Sequence, residues 1–228
     1  MNTFLLVVLV VGFVKRSFEC SCMPSHPQEQ FCRADFAIRV KVIDGPKEEL
    51  PENYPKGVPV AFFVKQVYTV RITKFYKGKY AVNATGKLDT YGTRGRLLKI
   101  KIYTPSKASS CSVRFRKFKT YIMVGSIYRK KLNVAYCDFW KEWGRITKKL
   151  RSGFARKFAR SCECKVTQCY GMGCGSLKDP YACALDVSSG RLKNTCRHRY
   201  QYCELSKDGK KCSWNTNLLY RKCISRIP

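Results

Sequence analysis

Apolar and polar positions alternate along much of the chain between residues 35 and 140, with the two-residue period of a half-buried β-strand. In the clearest case, Leu98, Ile100 and Ile102 alternate with Lys99 and Lys101. Patterns of this kind, or stretches rich in β-branched and aromatic residues, cover residues 35–43, 60–76, 97–103, 112–128 and 132–140. Five or six such strands predict a mainly β domain built as a small closed barrel.

Turn-forming residues separate these predicted strands at 44–46, 77–79 and 92–95. The interval 44–59 is rich in proline and acidic residues. Because long proline-rich connections run over protein surfaces, we expect this interval to be the most exposed loop.

The apolar period changes after Trp140. Trp143, Ile146, Leu150, Phe154 and Phe158 recur at spacings of three and four, which predicts one face of an amphipathic helix that ends near residue 161. A glycine inside this pattern, at position 153, indicates close packing or a break. Nine of the 14 cysteines follow between positions 162 and 223, which predicts a small second domain stabilised by disulfides.

The first 14 residues are apolar from Phe4 onward and too short to span a bilayer, which is typical of a signal peptide. We therefore expect a secreted protein without a membrane span. An even number of cysteines after such a start predicts disulfides in an oxidising compartment. A zinc module is the weaker alternative, because the pairs Cys20/Cys22 and Cys162/Cys164 have one intervening residue where structural zinc sites favour two to four.

Catalysis is also disfavoured. The two histidines are His26, in a proline-rich stretch that predicts a turn, and His198, between two arginines; neither resembles a buried general base. With all cysteines oxidised, no thiolate nucleophile remains. We expect a protein that is not an enzyme and has no cofactor of its own.

A specific resemblance is carried by the segment CSCMPSHP, residues 20–27, followed by Phe31, Cys32 and Asp35. It is similar to the amino-terminal signature of the tissue inhibitors of metalloproteinases. Further matches follow in family order at these cysteines and their neighbours: Cys111, Cys137, Cys162, Cys164, Cys169, Cys174, Cys183, Cys203 and Cys212. The resemblance covers nearly all of the chain after residue 19.

The resemblance implies a netrin-like OB-fold with a five-stranded β-barrel over residues 20–162, a small disulfide-rich domain over residues 163–228, and removal of residues 1–19. It also implies six disulfides: Cys20–Cys111, Cys22–Cys137, Cys32–Cys162, Cys164–Cys212, Cys169–Cys174 and Cys183–Cys203. Cys196 and Cys223 are left over, and we predict that they pair with each other.

The same resemblance implies a secreted inhibitor of zinc metalloproteinases. If cleavage exposes Cys20, its α-amino nitrogen and carbonyl oxygen would chelate the zinc of the target protease where the attacking water would bind. Ser21 would enter the specificity pocket. The predicted inhibitory ridge comprises Cys20, Ser21, Cys22, Met23, Pro24, Ser109, Ser110, Cys111 and Ser112, although serine-rich stretches are also common in ordinary loops.

The balance of 45 Lys and Arg against 15 Asp and Glu gives a formal charge of +30, and +29 without residues 1–19. Such a field favours polyanions, which in the extracellular matrix are sulfated glycosaminoglycans. The candidate residues are Arg114, Arg116, Lys117, Lys119, Lys148, Lys149, Arg156 and Lys157. The alternative is a solvated basic surface with no specific partner. Secretion argues against nucleic acid as the partner.

Two rival functions remain: a non-inhibitory matrix-binding netrin-like module and a cationic defence protein that acts on microbial surfaces. Both would tolerate an extended N-terminus, whereas the inhibitor would not. Glu19 makes cleavage before Cys20 a poor signal-peptidase site, because a small residue is expected there. Asn83 begins a glycosylation sequon, and we expect a monomer.

Overall fold

The computed structural model describes residues 20–51, 54, 57, 59–85, 99–176 and 178–227. The predicted signal peptide, the predicted turn at 92–95 and the first two residues of the strand predicted over 97–103 lie outside the described residues. The strands are β1 (Phe36–Glu49), β2 (Lys65–Lys77), β3 (Lys99–Thr104), β4 (Thr120–Tyr128), β5 (Lys131–Asn133), β6 (Trp140–Glu142), β7 (Lys165–Cys169), β8 (Ala182–Asp186), β9 (Cys203–Leu205) and β10 (Cys212–Trp214).

The α-helices are α1 (Pro27–Arg33), α2 (Lys79–Thr85), α3 (Lys148–Ser152), α4 (Phe158–Arg160), α5 (Arg191–Tyr200) and α6 (Leu218–Ile224). A π-helical turn, Gly153–Lys157, joins α3 to α4. Four 3-10 turns complete the regular structure: Val60–Phe62, Trp143–Arg145, Gly171–Ser176 and Val187–Ser189.

Five strands close into a ring in the order β1-β2-β3-β5-β4, because β1 pairs with both β2 and β4. The β3–β5 pairing is parallel and the other four are antiparallel. A sixth strand, β6, extends the sheet beside β4. The predicted mainly β architecture with a closed five-stranded sheet is confirmed.

The ring closes around the apolar face that the alternation predicts. In β1, Ile38, Val40 and Val42 are fully buried, whereas Arg39 and Lys41 between them are partly exposed. Side chains from β2, β3 and β4 fill the same core, including Tyr68, Val70, Ile102 and Met123. Burial of this apolar face is the main stabilising term of the ring.

Several predicted strands and turns differ from the structure. The strand predicted over 60–76 begins only at Lys65, after a 3-10 turn, and the one predicted over 132–140 is broken at 134–139, between β5 and β6. Residues 112–119 form no strand: Val113 and Phe115 alternate with arginines, but they anchor an irregular connection in the core. The turn expected at 44–46 lies inside β1, which passes it with register shifts and stays paired with β2 as far as Glu49. The exposed excursion expected over 44–59 therefore begins only after Glu49.

The predicted amphipathic helix begins later than its apolar pattern indicates. Trp143 lies in a 3-10 turn, and α3 starts after Thr147, whose side chain accepts a hydrogen bond from the Leu150 N–H. The buried face is nevertheless as predicted. At Gly153 a Cβ would lie 2.7 Å from the Phe158 ring, so glycine permits the close approach that accompanies the π-helical turn.

The C-terminal part combines two small sheets, parallel β7–β8 and antiparallel β9–β10, with helices α5 and α6. Its core consists largely of disulfide sulfurs with Val166 and Leu185. Helix α1 packs against this part as well as against the helical layer beside the ring. The division of the chain after residue 162 stays a prediction.

Candidate functional site

The first described residues, 20–26, form an irregular segment that two disulfides join to the ring side of the molecule. Cys20 pairs with Cys111 at a Cα–Cα distance of 5.0 Å, and Cys22 pairs with Cys137 at 5.3 Å. Two bridges within three residues leave this stretch little conformational freedom.

All fourteen cysteines lie in the described part of the chain and none is free. The seven pairs are the six implied by the resemblance together with Cys196–Cys223. Two groups of three cysteines lie close enough to hold a metal, Cys20/Cys22/Cys137 and Cys164/Cys203/Cys212. Because all their sulfurs are in disulfides, they are not thiolate ligands, and the zinc-module alternative loses its support.

The bridged segment presents its other side chains to solvent. Ser21 and Pro24 are exposed, and Met23 is 72% exposed. Gln30 of α1 supports the segment from behind, because its Nε2 donates to Ser25 Oγ at 2.5 Å and to the Cys137 carbonyl at 3.1 Å. The result is a doubly bridged, hydrogen-bonded segment whose exposed surface is formed by residues 21, 23 and 24.

The serine-rich stretch beside the Cys20–Cys111 bridge is built by its own hydroxyls. Ser109 Oγ accepts from the Cys111 N–H at 3.1 Å, and Ser106 Oγ accepts from the Ala108 N–H at 3.1 Å. Ser112 Oγ accepts from Gln66 Nε2 at 3.2 Å. Ser109 and Ser112 therefore hold the shape of this stretch, while Ser110 is exposed next to the bridge.

His26 does not lie in the turn that its proline-rich surroundings predict, but at the N-terminus of α1. It is fully buried and caps α1: its Nδ1 accepts from the Gln28 N–H at 3.2 Å, and its Nε2 lies 3.5 Å from the Arg197 carbonyl. Burial, with His198 nearby, holds the pKa of His26 well below its usual value. Burial likewise lowers the pKa of His198 to about 4. Both rings are neutral at physiological pH.

Gln28 is the residue that sequence reasoning missed most clearly. Its side chain is completely buried, and its Nε2 donates to the Ser161 and Cys203 carbonyls at 2.9 Å each. Its Oε1 accepts from the Cys203 N–H at 2.8 Å. On the exposed side, Gln168 Nε2 donates to the Pro24 carbonyl at 2.5 Å. These two glutamines fix the N-terminal segment against the C-terminal part.

The candidate polyanion residues fall into two unlike groups. In the first, Arg116 pairs with Glu142, and Lys117 pairs with Asp44, whose pKa is lowered by the Lys117 and Lys47 ammonium groups. Arg114 and Lys119 are exposed beside them.

In the second group, Lys148 and Arg156 are exposed, while Lys149 and Lys157 lie 5.1 and 5.9 Å from the Tyr202 ring. Within the described chain, no carboxylate approaches these four side chains to 4.0 Å. The second group therefore differs from the first, in which two of the four cations are ion-paired. The sequon residue Asn83 lies in α2 and is partly exposed.

The fold and the site together define a class of protein: a disulfide-rich, mostly β protein whose exposed N-terminal segment is fixed by two disulfides. A family model described as tissue inhibitor of metalloproteinase matches residues 18–214, and the chain belongs to this family. The described residues contain no helix long and apolar enough to cross a membrane.

Curated relatives agree with this assignment. A tissue inhibitor of metalloproteinase from Drosophila melanogaster is 29% identical over 98% of this chain and 94% of the relative. Metalloproteinase inhibitor 3 from Scyliorhinus torazame is 27% identical over 93% of this chain and 88% of the relative. Metalloproteinase inhibitor 2 from Cavia porcellus is 27% identical over 92% of this chain and 87% of the relative.

Proposed function

We propose that the chain is a secreted inhibitor of zinc metalloproteinases that acts through a free N-terminus at Cys20. The observation that carries this proposal is the double attachment of residues 20–22 through Cys111 and Cys137, which leaves Ser21, Met23 and Pro24 exposed. The family membership and the names of the relatives support the same class of activity.

In the proposed mechanism, the α-amino nitrogen and carbonyl oxygen of Cys20 bind the zinc ion of the protease in place of its catalytic water. An α-amine in a peptide has a pKa of about 8, so a substantial fraction is already neutral and available to the metal at physiological pH. Ser21 then enters the specificity pocket, and residues 109–112 form the neighbouring part of the contact.

Rigidity is the contribution of the fold to affinity. A flexible N-terminus would lose binding energy when it became ordered in the protease cleft. The two disulfides and the Gln30 and Gln168 hydrogen bonds supply that order before binding. The backbone atoms of Cys20 are therefore held in one arrangement in the free inhibitor.

We further propose that the basic surface retains the inhibitor on sulfated glycosaminoglycans of the matrix. The support is the formal charge of +30 and the group Lys148, Lys149, Arg156 and Lys157, which have no carboxylate within 4.0 Å among the residues that the structure describes. Replacing these four residues by glutamine should lower the salt concentration that elutes the protein from heparin. Replacing Arg114, Arg116, Lys117 and Lys119 should have a smaller effect, since Glu142 and Asp44 already pair with two of them.

The decisive experiment is the N-terminal sequence of the secreted protein, determined on the sample used in a metalloproteinase inhibition assay. A chain that starts at Cys20 and inhibits supports the chelation mechanism. A chain that retains residues before Cys20 and does not inhibit favours the matrix-binding or defence alternatives, and inhibition by such an extended chain contradicts chelation.

A further inference from the structure

A basic turn at residues 116–119 holds a phenylalanine in an unusual position. Phe118 is 68% exposed and has a φ of 63°, in the left-handed region. This region is unfavourable for a bulky L-residue, and asparagine or glycine would occupy it at lower cost. Among the phenylalanines whose burial the structure describes, Phe118 is the exposed one. Phe118 thus departs both from the backbone conformation that phenylalanine prefers and from the burial that is usual for its ring. Two such departures at one residue point to a functional role.

The exposure of Phe118 does not arise from a loose loop. Its N–H donates to the Val42 carbonyl at 2.9 Å, and the Val42 N–H donates to the Lys119 carbonyl at 3.0 Å. The buried ring of Phe115 packs against Tyr68, Tyr121 and Trp140 just before the turn. The fold therefore presents the Phe118 ring to solvent in a fixed place.

Cations flank this apolar tip along the chain at 114, 116, 117 and 119, and Lys47 shares the carboxylate of Asp44 with Lys117. Lys47 and Lys117 contact Asp44 at 3.1 and 2.8 Å, and Arg116 contacts Glu142. The exposed side chains of Arg114 and Lys119 have no carboxylate within 4.0 Å in the described residues. Five cations and two carboxylates leave the rim of the tip positively charged.

We propose that this turn, residues 114–119, docks on an anionic lipid surface, with the Phe118 ring inserted at the headgroup boundary and the cations against the lipid phosphates and carboxylates. Apolar tips ringed by Lys and Arg suit such interfaces, because the ring leaves water while the charges stay near the headgroups. A glycosaminoglycan would attract the cations but offers the ring no apolar phase. This activity is separate from protease inhibition.

The test measures co-sedimentation of the mature chain with phosphatidylcholine vesicles that contain phosphatidylserine, and with pure phosphatidylcholine vesicles. The Phe118→Asn variant removes the apolar tip but suits the left-handed backbone, so it should fold with an unchanged or higher Tm. We expect it to bind the anionic vesicles roughly ten-fold more weakly than wild type. The matched control is Tyr80→Asn, which removes an 89% exposed aromatic ring elsewhere and should bind like wild type.

A heparin column run on the same proteins separates lipid docking from general polyanion binding. The proposal expects Phe118→Asn to elute at the wild-type salt concentration. It is overturned if wild type does not bind the anionic vesicles, if Phe118→Asn binds them as tightly as wild type, or if the variant loses heparin and vesicle binding in equal measure. The last result would mean that Phe118 only shapes the cation cluster.

Discussion

Two neighbouring stretches of the N-terminal segment are held in place by opposite means. Residues 20–24 are largely exposed and are fixed by two disulfides. Residues 26–28 are buried and are fixed by hydrogen bonds that the side chains of His26 and Gln28 make: His26 accepts from the Gln28 N–H, and Gln28 both donates and accepts. The contrast shows two ways to order a segment. Exposed residues that are available to a partner can be held by disulfides, whereas the adjoining buried residues can be held by hydrogen bonds.

The largest expected effect comes from adding one alanine before Cys20. Because the added residue converts the α-amine into an amide, the extended protein should lose metalloproteinase inhibition while its Tm stays unchanged. An inhibition assay and a thermal melt on the same preparation check both halves. Adding the alanine after the C-terminal residue is the control, and inhibition by the N-terminally extended form would refute the chelation mechanism.

The second prediction removes one covalent attachment. Replacing Cys22 and Cys137 together by serine opens a bridge that, with Cys20–Cys111 intact, closes an effective loop of about 30 residues, so its loss should cost about 3 to 4 kcal/mol in the free energy of unfolding. It should also weaken inhibition roughly ten-fold or more, since residues 21–24 would have to become ordered on binding.

The matched control for this prediction is the Cys169–Cys174 bridge, which closes a short loop with a sequence separation of 5. Its removal should cost about 2 kcal/mol and leave inhibition unchanged. Denaturant titration and inhibition constants measure the two effects. Equal losses of inhibition in both double variants would mean that the Cys22–Cys137 bridge only stabilises the fold.

The third prediction concerns the buried stretch. Gln28→Leu should lower the free energy of unfolding by about 2 to 4 kcal/mol, because it removes the Gln28 partners of the Cys203 N–H and the Cys203 carbonyl. The Ser161 carbonyl loses one of its two donors and keeps the Cys164 N–H. Inhibition measured well below the Tm should change little, since Cys20 and Cys22 remain bridged. Gln30→Leu is the control. It should weaken inhibition more than it lowers the free energy of unfolding, because Gln30 donates hydrogen bonds directly to the exposed segment and to its Cys137 anchor. If the two variants behaved alike, the contrast between the stretches would fail.

The sequence predicts the ring well, because buried residues alternate with more exposed ones over 38–42 in β1 and over 100–102 in β3. It fails at residues 112–119, since the same alternation also suits a connection that is anchored in the core by Val113 and Phe115 without a strand partner. It also misplaces His26. The prolines around that histidine predict a turn, although proline is equally favourable in the first turn of a helix, where Pro27 lies.

The exposed part of the candidate site, residues 20–24, can be predicted from the sequence because the cysteines and their neighbours carry the family pattern. The buried part, around His26 and Gln28, cannot. The Gln28 partners Ser161 and Cys203 lie 133 and 175 residues away, and no local pattern links a glutamine to distant backbone groups. Such contacts depend on how α1 packs between the two parts of the molecule.

The smallest expected effect is a pH dependence of stability that originates in the buried stretch. His26 and His198 face each other, with ring centroids 5.2 Å apart, and the groups around them are Arg197, Lys141 and the aromatic rings of Phe158 and Trp214. Burial lowers the pKa of both histidines in the native state below the value of 6.5 expected in the unfolded chain. The unfolded state therefore binds more protons below pH 6.5, and stability must fall as the pH drops from 6.5 towards about 4.

Denaturant midpoints measured across this interval test the prediction. The carboxylates with lowered pKa, such as those of Asp44 and Glu142, lose their stabilising effect at lower pH, so the histidines dominate the upper part of the range. His26→Asn keeps an acceptor for the Gln28 N–H and removes one titrating ring, so its midpoint should depend less on pH than that of wild type. The proposed zinc ligand at residue 20 is an α-amine with a pKa of about 8, above this interval, so inhibition by folded protein should follow a different curve. A flat wild-type midpoint over this interval would show that these rings are not neutral and buried in the native state.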